Sequence, residues 1–529
     1  MAAPSDDSGL LCLPVELISI ICSYFPNSGI KSLRLACTKI KEIAQLRLTR
    51  VFLSANPINI RVFRAVADHD QFRSQITEII YDDAHFPPFP EPDIYEMEEI
   101  MQMDDPEAGL IDDEEGCPHW FVKVCLENLT NMKYRKNFDL DRPGHILRAR
   151  QANAQPPLRI CWQYYQNIHM QQSDTMKLKR DEEAFIYGLK QFPSLKRVTI
   201  TTATHGHLYE PLYETPMIRA FPYGLNYPIP RGWPGGRGEI SYTPAESWEE
   251  MNEAEKEQWH GFRMITRVLA QEKSPSLLEL VIDTNRLSGM GLNCTMFNSP
   301  SDNLGSPCDE YVNLATVLTN PGIRRLELPL VIGGQEYRGW AAFRSGYLYR
   351  MLSSATELEY FSFSTTVDNN AGGEYTMEHF IPLQSILPIT SWHKLRHFHL
   401  STLIVAQYDI MEALTILSAN LQTISLNFLQ FLKDQGNYRS LLSEIRDKMK
   451  WHERDFASRP RLSIGISPYG IVAPGRAIWV DQDIKEFLYN GGENPFKWDN
   501  LPNQVDYGTG IYKDDFDEDY ERPNVSYTI

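Results

Sequence analysis

The feature that most constrains this chain is a short pattern, apolar-x-x-apolar-x-apolar, that returns seven times. It is carried by Ile76, Ile79, Tyr81; Leu195, Val198, Ile200; Leu277, Leu280, Ile282; Ile323, Leu326, Leu328; Leu358, Phe361, Phe363; Leu395, Phe398, Leu400; and Leu421, Ile424, Leu426. RPRLSIGI at 459–466 is a candidate eighth, with Leu462, Ile464 and Ile466. The final alternation marks a strand, and most of these runs follow a helix-like segment such as DEEAFIYGLKQF, CDEYVNLATVLTN or YDIMEALTILSA. Strand and helix recur in fixed order, each with an apolar face that one unit cannot cover. That is how a parallel α/β solenoid is written in sequence. A doubly wound α/β enzyme is the competing fold; it more often shows continuous apolar strands and a phosphate-binding glycine turn.

The pattern resembles the strand segment of leucine-rich repeats, with loops of unequal length between turns. In such a solenoid alternate strand residues fill the core and the others form one continuous outer face. Those outer positions are the candidate target-binding residues: Arg197, Thr199, Glu279, Asp283, Arg325, Glu327, Tyr360, Ser362, His397, His399, Thr423 and Ser425. Thr201, Val281, Ser364, Ser401 and Asn427 share the face. Mixed charge, hydroxyl and aromatic groups suit a folded protein or an extended peptide.

Ahead of the array, LCLPVELISIICSYF places Leu13, Leu17, Ile18, Ile21 and Phe25 at steps of three and four, a helical stripe that Pro14 can start. Two further short amphipathic segments follow, through Ile30, Leu33 and Leu35 and through Ile40, Ile43 and Leu46. Three such helices bury too little surface to stand alone. They either cap the next domain or dock on a partner.

Leu13-Pro14-x-Glu16-Leu17-Ile18-x-x-Ile21, Phe25-Pro26 and Leu33-Arg34-Leu35-Ala36-Cys37-Thr38-Lys39 resemble the F-box, the module that grips a Skp-family adaptor in cullin-based ubiquitin ligases. The C-terminal Ile484-x-x-Phe487-Leu488-Tyr489 and Gly492-x-Asn494-Pro495-Phe496 are similar to the ends of fungal F-box proteins with solenoid-like C-terminal halves. The resemblance implies an α/β chain with a disordered start at 1–10, an F-box at 11–53, a leucine-rich-repeat-like solenoid at 54–500 and an acidic tail at 501–529. It implies adaptor contacts through Leu13, Pro14, Leu17, Ile18, Ile21, Phe25, Leu33 and Leu35. The expected function is target recognition for a Skp-cullin-F-box ubiquitin ligase, with the solenoid holding an unknown protein target. The alternative is an adaptor-bound scaffold without a ligase role.

Charge and cysteine usage narrow the setting. The net charge of -18 is carried by two segments: 82–115 has fourteen acidic and no basic residues, and 512–529 has six acidic and two basic. The remainder is neutral and offers no basic field for nucleic acid. Eight scattered cysteines without a CxxC pair fit reduced thiols in the cytoplasm or nucleus. No apolar run is long enough to span a membrane.

Two insertions interrupt the array. The acidic one at 82–116 reads as a solvated loop. The second, at 205–245, is crowded with Tyr, Pro and Gly and reads as a contact loop, since loops this long are usually functional or disordered. His205-x-His207 lacks a third ligand at diagnostic spacing, and no G-x-S-x-G, P-loop or HExxH motif occurs. The expectation is therefore a non-enzyme without metal or cofactor.

Overall fold

The computed structural model describes residues 13–86, 116–136, 142–233, 245–272, 276–285, 290–298, 306–367, 375–468, 475–498 and 501–525. The expected disordered start at 1–10 and most of the acidic insertion lie outside these residues, as do the tips of the other inserted loops.

Nine parallel strands form one large sheet: β1 (Arg50–Ser54), β2 (Glu78–Asp82), β3 (Arg197–Thr201), β4 (Glu279–Asp283), β5 (Arg325–Val331), β6 (Tyr360–Ser364), β7 (His397–Ser401), β8 (Thr423–Asn427) and β9 (Arg461–Ser463). Their spatial order is their chain order, each strand pairing with the one before it. A doubly wound sheet reverses its strand order at a switch point, so that competing fold is overturned.

The alternating pattern becomes a register. Val51, Ile79, Val198, Leu280, Leu326, Phe361, Phe398, Ile424 and Leu462 stand side by side across the sheet, and all are buried. Phe262, Leu314, Leu348, Leu414, Leu441 and Phe487 from the intervening helices join the same core. Ile484, Phe487 and Leu488 of the Asp481–Tyr489 helix bury into it, as their spacing predicts.

Local chemistry sets the helix entries. Asn56 caps the Pro57–Asp68 helix by accepting from the Ile58 and Asn59 amides at 2.9 and 3.4 Å, with Pro57 at the first position. The His260–Glu272 helix is capped from another element: Asp83, just past β2, accepts from the amides of Gly261 (2.7 Å) and Phe262 (3.3 Å) and from the Trp233 indole (2.8 Å).

Three boundaries differ from expectation. The F-box limit at 53 falls inside β1, whose Val51 and Leu53 belong to the sheet core. The acidic tail is largely folded: Ile511–Asp514 and Asp517–Pro523 pair with each other, and the first also pairs with Arg476–Trp479, which pairs with Gly465–Ile466 in a four-stranded antiparallel sheet. The insertion at 205–245 turns much of its apolar surface inward. Met217, Leu225 and Tyr227 form a second core with Phe86, Phe121, Cys125, Cys161, Tyr165 and Ile168, drawn partly from the His119–Lys136 and Leu158–Lys177 helices.

Candidate functional site

Two surfaces stand out, and the first is at the N-terminus. Helices α1 (Val15–Ser23), α2 (Asn27–Ala36) and α3 (Thr38–Ile43) enclose a small core of their own, made of Ile18, Cys22, Ile30, Ile40 and Ala44. Ile18 is fully buried there and is not available as a contact residue, which corrects its place among the expected anchors. Ile21 and Leu33 are half-buried. Leu13, Pro14, Leu17, Phe25 and Leu35 are exposed, and with them Val15, Ile20 and Tyr24, which the sequence reading did not single out. Leu35 is 89% exposed and Ile20 53%, a large apolar display for so small a unit.

This unit is tied to β1 through a short, polar joint. The Arg47 guanidinium donates to the Ser23 and Phe25 carbonyls at the end of α1. Asn27 answers from α2, donating to the Arg47 carbonyl at 2.6 Å and accepting from its amide at 3.0 Å. Arg34 donates to the Ala44 carbonyl at 2.8 Å. The chain enters β1 three residues after Arg47.

The second surface is the outer face of the sheet. Register places Arg50, Glu78, Arg197, Glu279, Arg325, Tyr360, His397 and Thr423 in one row. Charges alternate along its first half and satisfy one another. Arg50 reaches Glu78 at 3.0 Å, Arg197 reaches Glu279 at 2.7 Å, and Arg325 donates to Glu327 at 2.9 Å. The Arg325 guanidinium lies 3.9 Å from the centre of the Tyr360 ring, a cation–π contact. From β6 onward the row changes character.

There Tyr360, Ser362, Ser364, His397, His399, Ser401, Thr423, Ser425 and Asn427 present no carboxylate. A hydrogen-bonded chain crosses them: Tyr360 Oη to His399 Nδ1 at 3.0 Å, His399 Nε2 to Thr423 Oγ1 at 3.3 Å, and Thr423 Oγ1 to His397 Nδ1 at 2.7 Å. Tyr360 as donor, His399 protonated on Nε2 and the Thr423 hydroxyl pointing at His397 satisfy every bond in it. Burial, with His397 and Arg325 nearby, lowers the His399 pKa to about 4. Burial and Arg325 lower that of His397 as well. Both imidazoles are neutral at pH 7.

Not every expected outer residue is accessible. Thr199 is buried and donates to Glu78 at 2.7 Å, so it belongs to the packing of the face and not to its contact surface. Beside it the 205–245 insertion lies over the face: its Tyr213 ring sits 6.0 Å from Phe52 and its hydroxyl donates to Asp283 at 3.4 Å. Asp283, thus overlaid, has its pKa raised to about 6 by burial. The remaining expected contact residues, Arg197, Glu279, Asp283, Arg325, Glu327, Tyr360, Ser362, His397, His399, Thr423 and Ser425, are partly exposed on one face, whereas Thr201 and Val281 are buried like Thr199.

Titratable groups also cluster inside the protein, unforeseen because their partners come from distant segments. Asp181 accepts from the Tyr81 hydroxyl at 2.6 Å and lies 2.7 Å from His260 Nε2. Asp82, its pKa raised to about 7 by burial, faces His205 Nε2 at 3.7 Å. Burial lowers the pKa of His205 to about 3. The space lined by Ser54, Asn56, Asp82, Gln172 and Met217 is too small for a water molecule. His205 instead packs against Phe86 and Tyr227, and among the described residues no group of three His, Cys, Asp or Glu side chains is placed to hold a metal ion.

No described helix is long and apolar enough to cross a membrane. In comparisons with known proteins, no family model and no curated protein matches the chain.

Proposed function

We propose that this chain is the target-recognition subunit of a Skp-cullin-F-box type ubiquitin ligase, with α1–α3 as the F-box and the nine-stranded body as a leucine-rich-repeat-like solenoid. The observation that carries the reading is the apolar face of α1–α3. These helices complete a core of their own and still expose Leu13, Leu17, Ile20, Phe25 and Leu35, which suits docking on an adaptor, and the F-box resemblance includes all of these but Ile20.

The proposed mechanism involves no bond chemistry by this chain. The adaptor-bound end brings cullin and its ubiquitin-charged enzyme, the outer sheet face holds a protein target, and tethering raises the local concentration of one around the other. The short joint at Arg47 and Asn27 limits how far the two ends can swing. Work in the cytoplasm or nucleus accords with the reduced thiols.

The test is capture of adaptor and cullin from an extract by the full chain and by a Leu13→Ala, Leu17→Ala variant. Burying a leucine contributes about 1.5–3 kcal/mol, so losing two anchors weakens capture by about a hundredfold or more. Undiminished capture by the variant would overturn the F-box assignment. Adaptor without cullin would overturn the ligase role.

A further inference from the structure

A cleft of about 310 Å³ opens where β8 ends, lined by Phe428, Leu429, Tyr438 and Ile466 on one side and by Leu501, Pro502, Asn503 and Gln504 on the other. Gln430 and Ser467 complete its rim. We propose that it is a recognition pocket for one uncharged aromatic side chain of a polypeptide laid along the outer face of β6–β9. The polypeptide part rests on the reading of that face as the target surface.

The lining excludes charge. Tyr438 is its one ionisable side chain, and that hydroxyl is already committed, donating to the Leu426 carbonyl at 2.8 Å and accepting from the Leu429 amide at 2.9 Å. A charged group entering here would lose water without gaining a counter-charge. Neutral polar groups are present instead: Asn503 uses its carbonyl oxygen to accept from the Tyr438 amide at 2.8 Å, which leaves its NH2 as a donor. The partly exposed Phe428 ring with amides at the rim matches a flat ring that carries a polar handle, the chemistry of Trp and Tyr; Tyr438 itself is almost fully buried. The volume is at the lower limit of ligand pockets and takes one such ring.

Phe428 supplies a second, independent observation. Its φ is 52°, the left-handed region that bulky residues avoid. The turn itself belongs to the winding of the chain, because Thr402 has φ 55° at the equivalent point after β7. Glycine would make that turn without strain; a benzene ring there is an added cost. The turn is held by the Phe428 amide donating to the Gly465 carbonyl at 2.9 Å, and the ring makes an edge contact with Trp479, centroids 6.3 Å apart.

The pocket is continuous with the outer face. Asn427, the last outer residue of β8, immediately precedes Phe428 and accepts from the Gly465 amide at 2.9 Å.

The experiment titrates N-acetyl-L-tryptophanamide into the full chain, following broadening of its ring-proton NMR signals, with N-acetyl-L-glutamate as the charged control. The tryptophanamide binds and the glutamate does not. Ser467→Trp, a change at an exposed rim position, fills the mouth and weakens binding by more than about tenfold. Phe428→Gly also loses binding, without a fall in melting temperature because the turn strain is released. Equal binding by wild type and Ser467→Trp, or none by wild type, overturns the pocket. Peptides are then selected from a random library on the full chain. Enrichment in Trp or Tyr and displacement by the tryptophanamide support the polypeptide part, whereas selected peptides indifferent to Ser467→Trp overturn it. Adaptor capture is measured separately, so failure of the F-box assignment is distinguishable from failure here.

Discussion

Arg135 and Asp514, 379 residues apart in sequence, meet in a buried pair in which one guanidinium nitrogen stands 2.7 Å from both carboxylate oxygens. Arg476 reaches the same carboxylate at 2.9 Å and donates to the Arg135 carbonyl at 2.6 Å. Arg142 holds Asp517 at 2.6 Å, and Arg148 holds Glu210 at 2.5 Å. Through Arg135 and Arg142 the C-terminal hairpin is thereby clasped to the His119–Lys136 helix and to the start of the Pro143–Asn153 helix.

Asp514→Asn strips the carboxylate from between two buried guanidinium groups. Removing one partner of a buried pair costs about 3–5 kcal/mol, read as a lower urea midpoint. Burial alone would raise the Asp514 pKa, but Arg135 and Arg476 hold it below the usual carboxylate range. Its contribution is present above the unfolded pKa and is lost as pH falls through the folded one. The wild-type advantage over the variant should therefore shrink as pH falls below the unfolded carboxylate value, and an advantage unchanged by acid would contradict the assignment.

Asp82 has the opposite sign. Its folded pKa of about 7 lies above the unfolded value near 3.8, so the folded state keeps a proton that the unfolded state releases. Its relative stability is full below the unfolded pKa and declines as pH rises to about 7, by a total on the order of a few kcal/mol. Asp82→Asn removes that decline. Melting temperatures between pH 4 and 8 test it, and parallel curves for the two proteins would refute it.

Gly261 opens the His260–Glu272 helix directly over Tyr81. A Cβ there would stand 2.3 Å from the Tyr81 ring and 2.7 Å from Asp83 Oδ1. Gly261→Ala should cost about 1–3 kcal/mol by overpacking, despite the better helix propensity of alanine. An unchanged denaturation curve would show that the helix can shift freely.

Glu78 ties three strands, meeting Arg50 at 3.0 Å, Arg197 at 3.8 Å and the Thr199 hydroxyl at 2.7 Å. Glu78→Ala should lower stability by about 1–3 kcal/mol, while Glu357→Ala, in an exposed pair with Lys394, should change it by less than about 1 kcal/mol. Paired urea titrations separate the two, and equal losses would argue against the ladder as a structural element.

The sheet was legible because its inner residues, such as Val198 and Ile200, alternate cleanly and strands obey a period of two. Leu17, Ile18, Ile20 and Ile21 were ambiguous: with four apolar residues in five positions, periodicity cannot say whether Ile18 or Ile20 faces inward, and the packing of Ile30 and Ile40 decides it. β1 was overlooked because Val51 and Leu53 directly follow a basic segment that reads as the end of a helix. The acidic end read only as a tail because Arg135 and Arg142, which meet Asp514 and Asp517, lie hundreds of residues upstream. Tyr213 and Trp233 suggested outside contacts, yet Phe52 and Asp83 were waiting for them inside the fold.

The clasp also bears on how the protein is made. At ribosomal rates of about 5–20 residues per second, the 379-residue interval between Arg135 and Asp514 takes roughly 20 to 75 s to synthesise. For that time Arg135 and Arg142 have left the ribosome without their C-terminal carboxylates. A nascent chain stalled inside the sheet would present Arg135 and Arg142 without Asp514 and Asp517, with Glu210 to offset them in part, to chaperones and quality-control factors, and the finished chain would hide them.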